Sequence, residues 1–338
     1  MYDGLSPATT VRRIGTTVRL RLQHKTPARH RDSLRPVPTS QADSLLSPCV
    51  LIVKTPVASR ERIAERLGST GRRLTGQVEN AAREQERTLD TLHEALARLD
   101  VRPTTVSVDA IDARARRALA AARLVISVGG DGTLLTASHW ITGAALLGVN
   151  SAPRSSVGYL TLTRRAILAR DLARIARGTL LPQVVDRIEV EIEERRLPPA
   201  LNDVLIAHEQ PAATSRYHLR LGRRGEDQRS SGLWVATGAG STAGIRSAGG
   251  EPMPLVTRRL QFRARELYRA RGRRAAALES GFVEDGQELV VESAMEAGWL
   301  FVDGAREATR FPFGNRAIFR VAEQPLLLFA DPARWTPA

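Results

Sequence analysis

The chain has 338 residues, a length typical of about two domains. Its 50 Lys and Arg residues outnumber its 36 Asp and Glu residues, which gives a net charge of +14 and an isoelectric point of 11.2. Lysine occurs only at Lys25 and Lys54, so the positive charge is almost entirely arginine in a sequence rich in Ala, Gly and Leu. We attribute this charge to coding bias and expect no nucleic-acid partner.

The remaining composition excludes several classes of protein. No stretch approaches the roughly 18 apolar residues that a membrane-spanning helix needs, so we expect no membrane partner. Cys49 is the only cysteine, which excludes an intrachain disulfide framework and any CxxC metal site. A chain without disulfides suits a reducing compartment, and we expect a cytoplasmic protein.

Residues 1–47 contain Arg, Ser, Thr and Pro without a sustained apolar period, and we predict a disordered basic tail there. Organelle transit peptides have a similar composition, but Asp3, Asp32 and Asp43 count against that interpretation. An over-extended translation start is an equal alternative.

Residues 48–165 are predicted to form an α/β domain with a doubly wound parallel sheet, because short apolar runs alternate with helical periods. Continuous apolar runs suit strands that are buried on both faces. The predicted elements are strand Cys49–Lys54, helix Leu74–Leu99, strand Thr104–Asp109, helix Ala113–Ala122, strand Leu124–Val128 and strand Ala145–Asn150.

Residues 166–338 are predicted to form a mainly antiparallel β domain, with the boundary near Tyr159–Arg177. Here apolar and polar residues alternate in short segments separated by turn residues, as in successive antiparallel strands. The C-terminal end is a candidate to return to the first domain. The predicted strands are Arg187–Glu194, Asn202–Glu209, Ser215–Gly222, Gly232–Thr237, Glu288–Ser293 and Trp299–Gly304.

The strongest local motif is Gly-Gly-Asp-Gly-Thr at Gly129–Thr133, between a buried strand and a helix. Ligands bind at such strand ends in doubly wound sheets. Glycines allow a phosphate to approach the backbone, and the N–H groups of a helix start favour negative charge. Asp131 would repel a phosphate, so it suits a base on a hydroxyl or a magnesium contact. The alternative is a tight glycine turn in which Asp131 caps the next helix.

This motif and four later ones resemble the NAD kinase family. Diacylglycerol and sphingosine kinases share the first motif, whereas the order and spacing of all five are similar to NAD kinases, from about Cys49 to Phe329. The sequences NSAPRSSVGYL at Asn150–Leu160 and SSGL at Ser230–Leu233 most resemble the branch that includes the mitochondrial-type enzymes. The later motifs are GVNSAPRSSVGYL at Gly148–Leu160, ALNDVLI at Ala200–Ile206, SSGLWVATGAGSTAGIRSAGG at Ser230–Gly250 and FVDG at Phe301–Gly304.

The resemblance implies an enzyme that transfers the γ-phosphoryl group of ATP to the 2′-hydroxyl of the adenosine ribose of NAD or NADH, with Mg²⁺ or another divalent cation. It also implies a homodimer or homotetramer. Asp131 would be the catalytic base. The phosphates and the dinucleotide would be held by Gly129, Gly130, Gly132, Thr133, Asn202, Asp203, Gly240, Ser241, Thr242, Ala243 and Ser247.

Two other functions stay open. One is a kinase of the same superfamily that acts on a lipid or another hydroxyl compound. The other is a non-catalytic dinucleotide-binding regulator, although a protein that only binds has no need of Asp131 in its phosphate loop.

Several positions depart from the family pattern. The family's Asn-Glu pair is Asn202-Asp203 here, which shortens the reach of the carboxylate. Gly244 replaces a tyrosine that stacks on the base, so either the space is vacant or another side chain, such as Tyr159, fills it. Ala239 replaces a hydroxyl, and Ser231 replaces an aspartate near the nicotinamide end.

The other polar and aromatic residues carry weaker signals. The histidines have no metal-ligand spacing, so we predict no protein metal ligand. Asp303-Gly304 reads as a strand-ending turn that, by resemblance, shapes the site. The arginines of Arg258–Arg274 are either a solvated basic face or a phosphate clamp. We expect three tryptophans in the core, Trp140, Trp234 and Trp299.

Overall fold

The computed structural model describes residues 45–54, 72–269 and 278–335. The predicted tail, residues 1–47, lies outside these ranges except for its last three residues. The part of the Arg258–Arg274 stretch after residue 269 also lies outside them.

The strands and helices are numbered in chain order. The strands are β1 (Cys49–Val53), β2 (Thr104–Ser107), β3 (Leu124–Gly129), β4 (Ala145–Asn150), β5 (Thr163–Arg164), β6 (Gln183–Val185), β7 (Ile188–Ile192), β8 (Arg195–Arg196), β9 (Asp203–His208), β10 (Ser215–Leu221), β11 (Arg224–Ser230), β12 (Leu233–Ala236), β13 (Arg259–Ala264), β14 (Ser280–Glu284), β15 (Leu289–Ser293), β16 (Gly298–Val302), β17 (Glu307–Arg310), β18 (Arg316–Val321) and β19 (Leu326–Phe329). The helices are α1 (Arg72–Ala97), α2 (Ala113–Ala121), α3 (Asp131–Ser138), α4 (Leu168–Ala176) and α5 (Gly244–Ser247).

The first sheet has the order β2-β1-β3-β4-β19-β6, and β5 pairs with β4. Its pairs are parallel except for β19 with β6. Strands β3 and β4 are buried along their whole length, as their continuous apolar runs predict. Both β6 and β19 come after residue 165, so the first sheet contains strands from both sides of the predicted domain boundary. The position of that boundary stays a prediction.

Helices cover both faces of this sheet. Because side chains alternate along a strand, Leu51 packs with α1 and α4 in one core, whereas Val50 and Ile52 pack with α2 and α3 in another. Asp112 caps α2 by accepting the backbone N–H of Ala115 at 2.7 Å. The layers place the N-terminus of α3 directly after β3, which is where the glycine motif lies.

The other strands form two six-stranded antiparallel sheets that enclose a separate core. One has the order β11-β10-β15-β18-β7-β8 and the other β14-β13-β12-β9-β16-β17. Alternating residues of β7, such as Val190, and of β9, such as Val204, point into this core. The predicted fold class, a parallel α/β domain followed by a mainly antiparallel β domain, is confirmed.

In the part of the chain that the structure describes, no helix combines the length and the apolar character needed to cross a membrane.

Candidate functional site

The glycine motif forms one wall of a cavity of about 750 Å³. β3 ends at Gly129 and α3 begins at Asp131, so the motif spans the turn between them. All five motif residues, Gly129–Thr133, line the cavity. The wider lining includes Lys54, Thr136, His139, Ser151, Ser156, Asp303 and Arg306.

The Asp131 carboxylate is held by two backbone N–H groups from the segment after β4. Oδ2 accepts the N–H of Tyr159 and Oδ1 accepts the N–H of Leu160, each at 2.8 Å. The alternative that Asp131 caps α3 is wrong, because Gly130 takes the cap position and Asp131 is the first helical residue. Each carboxylate oxygen keeps further acceptor capacity on a residue that lines the cavity.

The buried Asp303 carboxylate connects the cavity to the Asn202-Asp203 pair. It accepts the backbone N–H groups of Leu201, Asn202 and Asp203 at 2.7–3.1 Å. Its Oδ2 also lies 2.9 Å from Nε2 of His139, whose side chain is only 3% exposed. Asp303 therefore ties the start of β9 to the end of α3.

The Asn202-Asp203 pair combines an unpartnered buried oxygen with a carboxyl group whose pKa is raised. Oδ1 of Asn202 is buried without a hydrogen-bond partner, which leaves an acceptor that a ligand could satisfy. Burial, and then the charge of Asp303, raise the pKa of Asp203 from 3.8 to about 7. The pair lies behind the cavity and is not among the residues that line it.

A buried cation lies at the other end of α3. Nη1 of Arg187 donates to the carbonyls of Ile141 (2.9 Å) and Ser138 (3.4 Å), and its Nε and Nη2 donate to the carbonyl of Gln324. Burial lowers the pKa of Arg187, and Asp303 raises it. A positive charge near the last carbonyls of a helix also complements the helix dipole.

The second glycine-rich loop, residues 238–243, packs against the Asn202-Asp203 pair. Ser241 is fully buried, and its hydroxyl donates to the carbonyl of Gly238 (2.8 Å) and accepts the N–H of Met253 (2.9 Å). Gly240 is buried against the backbone of Asn202. Gly240 and Ser241 therefore hold the loop in place, whereas Thr242 and Ala243 are half-buried.

A second cavity, of about 610 Å³, lies beside Gly244 and Ser247. An added Cβ at Gly244 would lie 2.7 Å from Cζ2 of Trp234, so the indole occupies the space that a larger residue would need. Tyr159 does not fill it, because its ring packs edge-on against Trp335 at 5.0 Å. At Gly244, where the family pattern has a tyrosine, the space is thus occupied by the indole of Trp234.

Several arginines in the described part of the Arg258–Arg274 stretch pair with acidic residues, and of these Arg263 and Arg269 line the second cavity. Arg263 and Arg269 form ion pairs with Glu279. Arg258 pairs with Asp186 and Asp285. The hydroxyl of Ser231 donates to the carboxylate of Glu266.

The structure therefore brings Gly129–Thr133 together at one cavity and places Asn202-Asp203 and Gly240–Ala243 in a continuous layer behind it. Ser247 is separate from this layer, because it lies on the second cavity. Sequence reasoning missed Lys54 and His139. The position of Lys54 directly after a buried parallel strand could have pointed to it, whereas nothing in the sequence marks His139.

Within the described residues, no group of three or more His, Cys, Asp or Glu side chains is arranged to hold a metal ion. Any cation at the cavity would therefore depend on oxygen atoms other than a protein carboxylate cluster, such as those of a phosphate ligand.

Parallel α/β and antiparallel β domains joined in this order define a fold class that solved structures share. The chain resembles an NAD kinase from Archaeoglobus fulgidus in complex with ATP, with a TM-score of 0.59 and 20% identity over 85% of this chain and 95% of that one. It also resembles a yeast NADH kinase complexed with NADH, with a TM-score of 0.62 and 13% identity over 85% and 84%.

The sequence relatives are NADH kinases and NAD kinases by name. The chain is 40% identical over 205 residues to a probable NADH kinase of Oryza sativa subsp. japonica and 37% identical over 221 residues to an NADH kinase of Arabidopsis thaliana. These matches cover 54% of this chain and only 63% and 65% of the relatives, so the chain matches less than two thirds of their length. No protein-family model matches the chain. The resemblance to the NAD kinase family is confirmed.

Proposed function

We propose that the chain is an NAD(H) kinase that transfers the γ-phosphoryl group of ATP to the 2′-hydroxyl of the adenosine ribose of NAD or NADH. The observation that carries this proposal is the Asp131 carboxylate, held by two backbone N–H groups at a glycine-rich cavity wall. The names of the sequence relatives, NAD kinases and NADH kinases, support it.

In this proposal Asp131 accepts the proton of the 2′-hydroxyl as the oxygen attacks the γ-phosphorus, and the bond between that phosphorus and the β,γ-bridging oxygen breaks, which releases ADP. The two N–H bonds fix the carboxylate, so no reorientation is needed when the proton moves. Gly129, Gly130, Gly132 and Thr133 hold phosphates, because the start of α3 presents backbone N–H groups to the cavity. Lys54, which lines the same cavity, adds a positive charge for the donor.

The Asn202-Asp203 pair and the second loop are proposed to bind the dinucleotide. The unpartnered Oδ1 of Asn202 suits an amino group such as that of adenine, and a charged Asp203 suits ribose hydroxyls. Gly240 and Ser241 contribute by shaping the loop, and Thr242 and Ala243 are the loop's candidates for direct contact. Ser247, on the second cavity, is a separate candidate.

Mg²⁺ is proposed to arrive with the donor. Mg²⁺ usually keeps several waters and is bound largely through substrate phosphates, and the described residues hold no cluster of carboxylates for it, so the phosphates of ATP would supply its ligands. When bound, the cation would neutralise charge on the transferring phosphoryl group. The homo-oligomer, the cytoplasmic location and the mitochondrial-type branch stay predictions.

The test is formation of NADP or NADPH from ATP, magnesium and either dinucleotide by the purified protein. Asp131→Asn should reduce kcat at least about a hundredfold while dinucleotide affinity changes only a few-fold. Asp186→Asn is the matched control, because the Asp186 carboxylate is also buried and accepts a backbone N–H, from Arg258 at 2.6 Å, but does not line the cavity.

The control should keep its kcat even if it loses stability. Near-normal turnover in Asp131→Asn would remove the proposed base. Tight dinucleotide binding without turnover in the wild type would favour a non-catalytic regulator, and transfer to diacylglycerol but not to NAD would favour the lipid-kinase alternative.

A further inference from the structure

The last described turn of the chain, Pro332–Trp335, is hydrogen-bonded to residues 158–161, the segment whose N–H groups bind Asp131. Nη1 of Arg334 donates to the carbonyls of Gly158 (3.2 Å), Tyr159 (2.8 Å) and Thr161 (2.9 Å). In return, the Tyr159 hydroxyl donates to the carbonyl of Arg334. The contact is reciprocal and joins residues 175 positions apart.

The carbonyls that Arg334 binds belong to the same peptide groups that bind Asp131. The carbonyl of Gly158 and the N–H of Tyr159 form one peptide group, and the carbonyl of Tyr159 and the N–H of Leu160 form the next. Each group accepts from Arg334 on one side and donates to a carboxylate oxygen of Asp131 on the other. Hydrogen bonds in such a chain polarise one another, so the guanidinium charge strengthens both bonds to the carboxylate.

Trp335 fastens the turn to a second element of the site. It is 1% exposed, and its Nε1 donates to the carbonyl of Ala239 in the second glycine-rich loop at 3.0 Å. Its ring also packs edge-on against Tyr159. The turn therefore connects the Asp131-binding segment with the loop that packs on Asn202.

We propose that the Pro332–Trp335 turn is a brace that positions the Asp131 carboxylate, with Arg334 acting through the two peptide groups on either side of Tyr159. Arg334 and Trp335 are positioning residues and touch no reacting atom. The catalytic part of this inference rests on the proposed function. The structural part does not, because it concerns only the order of residues 158–161.

The experiment compares Arg334→Ala and Arg334→Lys with the wild type. Arg334→Ala should lower kcat at least about tenfold while KM for ATP and for the dinucleotide stays within about threefold, because misplacing a catalytic group costs rate more than binding. Lysine carries three N–H donors on one charged nitrogen, which suits three carbonyls, so Arg334→Lys should recover most of kcat. Hydrogen exchange of a peptide covering residues 158–161 should be faster in Arg334→Ala and near normal in Arg334→Lys.

Arg320→Ala is the matched control. Arg320 also binds three acceptors, on Glu189, Glu191 and Glu288, but on the second domain. It should leave kcat and exchange at residues 158–161 unchanged. Trp335→Phe, which removes the bond to Ala239 together with part of the buried ring, is the second variant if Arg334→Ala does not fold, and it should accelerate the same exchange.

The outcomes separate the two proposals. Normal exchange at residues 158–161 in both Arg334→Ala and Trp335→Phe would overturn the brace, whatever the activity. A fall in kcat that Arg320→Ala matches, or that Arg334→Lys does not relieve, would overturn the positioning role. Wild-type protein without phosphoryl transfer would overturn the proposed function alone, and faster exchange in Arg334→Ala would still support the brace.

Discussion

One glycine from each of the two glycine-rich loops shows how differently the loops are packed. At Gly132 an added Cβ would meet no atom within 4 Å, so this glycine faces the open cavity. At Gly240 an added Cβ would lie 2.0 Å from the carbonyl oxygen of Asn202 and 2.8 Å from its Cα. The position of Gly132 therefore leaves room for a ligand, whereas the position of Gly240 is filled by the protein's own backbone.

The contrast shows that a glycine-rich sequence does not by itself indicate a ligand contact. Both loops follow a buried strand, β3 or β12, and both precede a helix. What differs is the surroundings of the two glycines, which are open space at Gly132 and the backbone of Asn202 at Gly240. We therefore expect Gly132 to act in binding and Gly240 in folding, and each expectation can be tested.

The largest effect is expected for Gly240→Ala. The atoms that a methyl group would meet are backbone atoms of Asn202, which cannot move aside as a flexible side chain could. Overpacking of this kind costs about 3 kcal/mol, so the free energy of unfolding should fall by that amount in denaturant titrations. Gly143→Ala is the control, because nothing lies within 4 Å of its added Cβ. Equal stability of the two variants would show that the second loop is not packed as described.

Gly132→Ala should separate stability from activity. Gly132 is within α3, where alanine is a better helix former by up to about 1 kcal/mol, so unfolding should need the same or more denaturant. The new methyl group would stand in the cavity, where phosphates are proposed to approach the backbone. We expect kcat/KM to fall at least about tenfold. Unchanged kcat/KM would mean that no ligand approaches Gly132 closely.

The sequence could predict the elements whose signature is local. Buried runs such as β3 and β4 are apolar throughout, and the residues of β7 alternate regularly between apolar and charged. β11 was missed because its inward side chains are polar: Gln228 bonds to the carbonyl of Leu278, and Ser230 bonds to Tyr217. A strand whose buried face is hydrogen-bonded lacks the alternation on which the prediction depends.

The same limit applies to the site. The glycine motif was visible because it is contiguous, but the amides that hold Asp131 come from 28 and 29 residues away. The tryptophans show a related error, since the three that we expected in the core, Trp140, Trp234 and Trp299, are all half-buried. Arg116 lies over Trp140, and Arg310 lies over Trp299. The fully buried tryptophan is Trp335, whose short flanking segment carries no apolar period.

The last prediction concerns Asp203, the neighbour of Asn202, on whose backbone Gly240 packs. Its pKa is raised to about 7 in the folded protein, so between pH 4 and 7 the folded state binds a proton that the unfolded state has released. The stability that Asp203 contributes is therefore complete below about pH 4 and is lost as the pH rises to about 7.

Asp203→Asn removes this ionisation and keeps the side-chain volume. The quantity to compare is the free energy of unfolding of the variant minus that of the wild type. This difference should be more positive at pH 8 than at pH 5, by on the order of a few kcal/mol. Dinucleotide binding at pH 8 should weaken in the same variant, because the charged carboxylate is the proposed acceptor for ribose hydroxyls. A stability difference that does not change with pH would show that Asp203 is charged in the folded protein throughout. Stronger dinucleotide binding by Asp203→Asn would show that Asp203, next to the Asn202 backbone on which the second loop packs, does not face the dinucleotide.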